Sequence, residues 1–166
     1  MPERSGAVVL VAVATSVAVI DQLSKFVLAS TIGSGQLASR AEVVDGWLAL
    51  EYTENRGAAF GLFSGIAPII TGVSIAILTG LLFYFFRQVR PPFWQTIATG
   101  AIAGGALGNL VDRVRLGHVI DFVSVGPWPN FNVADSAITI GVLVLVRGMT
   151  RQSQRLGAAQ PIDQGT

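Results

Sequence analysis

Two aspartates stand in apolar company near one membrane segment: Asp121 in Val119-Ile120-Asp121-Phe122, and Asp135 in Phe131-Asn132-Val133-Ala134-Asp135-Ser136. Asp135 lies at the mouth of an apolar run, 137–146. Ionisable groups at membrane depth are costly, so they mark function by default. Two carboxylates that meet can share one proton and divide acid from base work. Asp135 also reads as a cap for the helix that follows it, where the helix dipole favours negative charge. Asp121, flanked by Val119, Ile120, Phe122 and Val123, reads as half buried and, in the drier site, as the proton holder. An exposed loop acid is the plain alternative, and a coupled pair titrates as a unit.

Asn109, Asp112 and Arg113 follow at i, i+3 and i+4 and share one helix face. Charged residues commonly flank membrane spans, which would account for Asp112 and Arg113 but not for Asn109, one turn deeper. Asp21 and Lys25, one turn apart, read as a local ion pair that ends the first helix. In the stretch 52–61, Asn55 stands ready to donate to a substrate backbone; a turn followed by an interfacial segment explains the glycines and Phe60 equally well.

Composition fits these residues into a membrane. Charged residues are 13% of the 166, about half the share of an ordinary soluble domain, while hydrophobic residues reach 51%. The net charge of +1, with no basic cluster, excludes a nucleic-acid partner. Cysteine is absent and His118 is the only histidine, which removes thiolate chemistry and leaves little for zinc.

Four segments can span a bilayer: 7–28, 66–86, 93–111 and 134–149. The first reads as a retained anchor, because no small-residue cleavage site follows its apolar run. Cations at Arg4, Arg87, Arg90, Arg147, Arg151 and Arg155 favour both termini inside, with the short 87–90 loop the cleanest signal. Between the first two spans, Asp45-Gly46 separates 40–44 from 47–53, whose Leu48, Leu50 and Tyr52 alternate; a β-hairpin fits, and 122–125 could add a strand. Gly100, Gly104 and Gly108 form a small-residue stripe for close helix packing. Residues 1–150 make one membrane-embedded domain, and the polar tail 151–166 reads as disordered.

Taken together, Asp21-Gln22-Leu23-Ser24-Lys25, Asn55-Arg56-Gly57-Ala58-Ala59-Phe60-Gly61, the run from Gly104 to Arg113, Val119-Ile120-Asp121-Phe122 and Phe131 to Ser136 resemble the lipoprotein signal peptidases, or type II signal peptidases. The resemblance implies an aspartic endopeptidase of the bacterial cytoplasmic membrane, which cleaves diacylglyceryl-modified prolipoproteins just before the modified cysteine. It implies Asp121 and Asp135 as the catalytic dyad, with Asn55, Asn109, Asp112, Arg113 and Asn132 in or supporting the substrate site. It implies a mainly α membrane protein: four transmembrane helices, a small extracytoplasmic β-sheet and a short interfacial helix. Water is the nucleophile, so no metal or organic cofactor is expected; the partners are the lipid-modified substrate and membrane lipid, and the chain is expected to act as a monomer.

Four other readings compete, the poorest an intramembrane serine protease, since His118 is the only possible base of that kind and no Gly-x-Ser-x-Gly turn appears. A small transporter would use intramembrane carboxylates, though near the midplane of related halves, and no repeat is evident here. A metal-dependent hydrolase would hold Mg²⁺ with Asp112, Asp121 and Asp135. A structural scaffold would tolerate loss of either aspartate.

Overall fold

The computed structural model describes residues 4–32, 40–57 and 67–158. Four helices and three strands occur in the order α1 (Arg4–Ile32), β1 (Arg40–Val44), β2 (Leu48–Asn55), α2 (Ala67–Arg87), α3 (Phe93–Leu116), β3 (Val119–Val125) and α4 (Val133–Ala158). The interfacial segment expected around Phe60 lies outside the described residues.

Three of these helices, α1, α2 and α4, are long and apolar enough to cross a bilayer. The third segment expected to span, α3, is less apolar, because it sits at the centre of the bundle. It packs against α1 on one side and α4 on the other, with α2 alongside. A helix packed by protein on most sides need not be apolar all round: α3 buries Gln95, Thr96, Thr99, Asn109 and Asp112, and leaves a narrow apolar face at Ile97, Leu107 and Val111 exposed. The outer helices face outward with apolar side chains such as Val11, Phe26, Ile69 and Phe83.

Glycine makes the enclosure possible. A Cβ on Gly100 would come within 2.9 Å of the Leu10 carbonyl oxygen, and one on Gly104 would run into the Ala14 backbone. On the opposite face, a Cβ on Gly105 would lie 2.5 Å from the Ala134 carbonyl oxygen. The stripe read from the sequence thus seats α1, and its neighbour Gly105 seats α4.

The three strands form one antiparallel sheet in the order β1-β2-β3. Gly46, at φ 69°, closes the expected hairpin in the left-handed region that glycine tolerates. β2 runs past the expected end at Thr53 to Asn55, and β3 begins at Val119 rather than Phe122. Leu50 and Val123 pack with Val133 against Leu28, Ile32 and Phe122, so the sheet rests on the far end of α1.

Helix ends also differ from the sequence reading. α1 continues to Ile32, so Asp21 and Lys25 lie within it rather than at its end. α3 continues to Leu116 and stops at Gly117, whose φ of 78° and N–H bond to the Arg113 carbonyl form a left-handed cap. α4 continues beyond the expected 149 to Ala158, into the stretch read as a disordered tail.

Close packing at Gly104 predicts that Gly104→Ala costs about 1–3 kcal/mol by overpacking. Gly80→Ala meets no atom within 4 Å and should be neutral or slightly stabilising, as helix propensity requires. Thermal unfolding of both variants in detergent checks the contrast.

Candidate active site

Where α1, α3, β3 and the start of α4 meet, polar side chains form one buried network. It begins at Lys25, 2% exposed. Its ammonium reaches Asp21 Oδ2 at 2.8 Å, Asp112 Oδ2 at 2.7 Å and Asn109 Oδ1 at 3.0 Å. An ammonium has three N–H groups, and here each finds an acceptor. Asp21, 0% exposed, uses its other oxygen to accept the Ala134 N–H at 2.9 Å. A carboxylate from α1 thereby satisfies an N–H in the first turn of α4 that has no partner within its helix.

Asp112 accepts from Gln22 Nε2 at 2.8 Å through Oδ1, and from the Ile120 N–H at 3.3 Å through Oδ2. It fastens α1 to β3 just before Asp121. The pair read as local is therefore a three-residue ion cluster joining α1 to α3. Its signal was available: Val19, Ile20, Leu23 and Phe26 face outward, so charges within that run had to face inward and needed partners from another helix.

Two asparagines carry the network to the candidate dyad. Asn109, whose Oδ1 accepts from Lys25, donates through Nδ2 to Asp135 Oδ1 at 2.8 Å. Asn132, fully buried, donates through Nδ2 to Asp121 Oδ1 at 2.7 Å. The same Asn132 caps α4: its Oδ1 accepts the Asp135 N–H at 2.9 Å, while Asp135 Oδ2 accepts the Asn132 N–H at 3.4 Å. This reciprocal arrangement is a capping box with Asn132 at the cap and Asp135 three residues on. The sequence reading assigned the cap to Asp135; the residue before the helix takes it because its backbone is still non-helical. One side chain, Asn132, thus contacts both aspartates.

Asp121 is 2% exposed, more buried than its half-buried reading. Its second oxygen accepts from Asn55 Nδ2 at 2.8 Å, and Asn55 Oδ1 accepts the Gly57 N–H at 2.9 Å. β2 lies beside β3 with Thr53 opposite Asp121, which brings Asn55 within reach. Burial pushes the Asp121 carboxyl up to about 6; the neighbouring Asp135 charge adds to this, while the Asn55 and Asn132 hydrogen bonds and Lys25 oppose it.

Asp121 opens onto a cleft of about 700 Å³ whose walls include Asn55, Arg113, Trp128 and Asn130. Among the described residues, the Arg113 guanidinium donates only to the Asn109 carbonyl, at 3.4 Å. Beside it, Asp112 reaches the Lys25 cluster, and the half-buried Asp135 accepts from Asn109 and Asn132. Among the described residues, no three of His, Asp and Glu converge as ligands for an ion. The sequence reading did not single out Gln22, Thr53 or Asn130; Asn130 Nδ2 donates to Thr53 Oγ1 at 2.7 Å and ties the loop after β3 to β2.

Comparisons with known proteins bear on the fold and the family. A family model described as signal peptidase (SPase) II matches residues 13–151. A lipoprotein signal peptidase of Parasynechococcus marenigrum is 40% identical over 152 residues, covering 89% of this chain and 94% of that relative. One of Geobacter sulfurreducens is 43% identical over 147 residues, covering 82% and 88%. A solved structure described as a bacterial membrane enzyme superposes with a TM-score of 0.77 at 28% identity, covering 95% of this chain and 93% of that one. A second, at 32% identity, gives 0.75. The fold is that of a small helical membrane enzyme. The chain belongs to the signal peptidase II family, which makes it a peptidase and leaves the transporter reading without support.

Two outcomes follow from the network. Lys25→Met leaves Asp21 and Asp112 facing each other without a counter-charge and should cost about 3–5 kcal/mol of stability, read by thermal unfolding in detergent. Asp121 binds a proton more readily folded than unfolded, between its ordinary 3.8 and about 6. Its favourable contribution is complete below the unfolded value and is lost as pH rises through the folded one. The Tm of wild type relative to Asp121→Asn should therefore rise as pH falls from 7.5 towards the unfolded value.

Proposed function

We propose that this chain removes the signal peptide from lipid-modified bacterial prolipoproteins, cutting before the modified cysteine with water activated by Asp121 and Asp135. The observation that carries this reading is Asn132, hydrogen-bonded to Asp121 through its side chain and to Asp135 through its backbone and side chain. Family membership supplies the reaction: relatives that match most of this chain carry the name lipoprotein signal peptidase.

The raised Asp121 carboxyl supports a division of labour. Asp121 holds the shared proton and hydrogen-bonds to the scissile carbonyl oxygen, drawing electron density from its carbon. Asp135, in the first turn of α4, takes a proton from water as the water oxygen attacks that carbon. The tetrahedral intermediate collapses with the C–N bond breaking. The cysteine nitrogen leaves with a proton from the dyad, and a free carboxyl remains on the signal peptide. Water is the nucleophile, so no covalent acyl-enzyme forms.

Asn55, Asn109 and Asn132 keep the two carboxyls oriented. Arg113 is available to the substrate backbone in the cleft, and Asp112 supports the site from the Lys25 cluster. The diacylglyceryl chains stay in lipid beside α2 while the peptide enters the cleft; their apolar area gives a small site enough binding to select modified substrates. In this reading α3 spans the membrane with its three neighbours, both termini are cytoplasmic, and the sheet and cleft face outward, as the Arg87–Arg90 loop favours.

Incubation with a diacylglyceryl-modified prolipoprotein, followed on a gel, tests the proposal. Asp121→Asn and Asp135→Asn should each lower cleavage by at least ~10²-fold, the usual worth of a general acid or base, while wild type continues to cut in EDTA. Wild-type rate should fall as pH rises above about 6, where Asp121 loses its proton. Processing that persists in either variant contradicts the dyad; processing that stops in EDTA with folded protein contradicts the metal-free mechanism.

A further inference from the structure

At the end of the bundle away from Asp121, a second groove of about 520 Å³ opens between the start of α3 and the end of α4. Its walls include Trp94 from α3 and Val144, Arg147, Arg151 and Gln152 from α4. Arg147 and Arg151 are one turn apart and share a helix edge. From Asp135 to Arg147, α4 rises about 18 Å, so this groove is separate from the dyad.

The groove has a shaped wall. A Cβ on Gly148 would collide with the Trp94 indole, so the bare backbone there is what lets the ring lie across α4. Among the described residues, neither arginine has a carboxylate partner, and no acid lines the groove. Two guanidinium groups beside an indole and an apolar wall, at the end of a lipid-facing helix, offer charge at one level and acyl-chain contact at the next. Arginine recognises phosphate oxygens through paired N–H donors, and tryptophan favours the depth of the lipid headgroups.

We propose that this groove binds the phosphate headgroup of an anionic glycerophospholipid in the leaflet at that end of the bundle. Arg147 and Arg151 hold the phosphate, Trp94 packs beside the glycerol backbone, and Val144 meets the acyl chains. Basic pockets between membrane helices hold anionic headgroups on this principle. The proposal does not depend on the peptidase chemistry.

Native mass spectrometry of the purified full chain tests it, with phosphatidylglycerol or phosphatidylcholine of matched acyl chains added in detergent. Phosphatidylglycerol should be retained at least roughly fivefold better, as charge recognition of a headgroup requires. The double variant Arg147→Gln/Arg151→Gln should lose that preference with unchanged helical circular dichroism. Arg87→Gln, which removes a cation resting on the Phe83 ring, should keep it, and millimolar inorganic phosphate should not displace the lipid. Equal retention of the two lipids overturns the proposal. So does a preference that survives the double variant, one that disappears equally in Arg87→Gln, or one that free phosphate abolishes.

Discussion

A single buried ammonium organises the candidate site. Lys25 neutralises two carboxylates from different helices, Asp21 and Asp112, and still reaches Asn109. Removing charges from water is expensive, and such a cluster is tolerated only when its donors and acceptors are matched. Here Asp21 also serves the first turn of α4, and Asp112 serves the start of β3. The cluster therefore fixes α1, α3, α4 and β3 relative to one another, and with them the two chain segments that deliver Asp135 and Asp121.

Neutral amides then do the local work. Asn109, Asn132 and Asn55 donate to Asp121 and Asp135 without adding charge, so they orient the two carboxyls. A cation in direct contact would hold Asp121 ionised. Lys25 stays beyond the asparagines, close enough to temper the Asp121 carboxyl but too far to cancel the effect of burial. The same residues that align the site thus leave Asp121 able to hold a proton near neutral pH.

Much of this was written in the sequence. The hairpin was legible because Asp45-Gly46 tolerates the positive φ that a tight hairpin turn needs, and the convergence of Asp121, Asp135, Asn55, Asn109 and Asn132 was legible through motif order. Other parts were not, for physical reasons. Asp21 and Lys25 satisfy each other at one helical turn, which hid the third partner, Asp112. Asn132 and Asp135 both favour helix starts, and spacing alone does not tell the cap from its reciprocal acceptor. Val119 and Ile120 are adjacent apolar residues cut off from Phe122 by Asp121, a pattern without strand alternation, so β3 was read as beginning late. The polarity of α3 makes sense only once its neighbours enclose it.

The central claim is that Asp121 and Asp135 share one proton, held chiefly by Asp121. Infrared difference spectroscopy on the folded enzyme, scanned across pH, reads this directly. A carboxylic-acid C=O band should titrate near 6, disappear in Asp121→Asn, and move to lower pH in Asp135→Asn, where the repelling charge is gone. A band that is absent at every pH above the ordinary carboxylate range, or that persists unchanged in Asp121→Asn, would contradict the account.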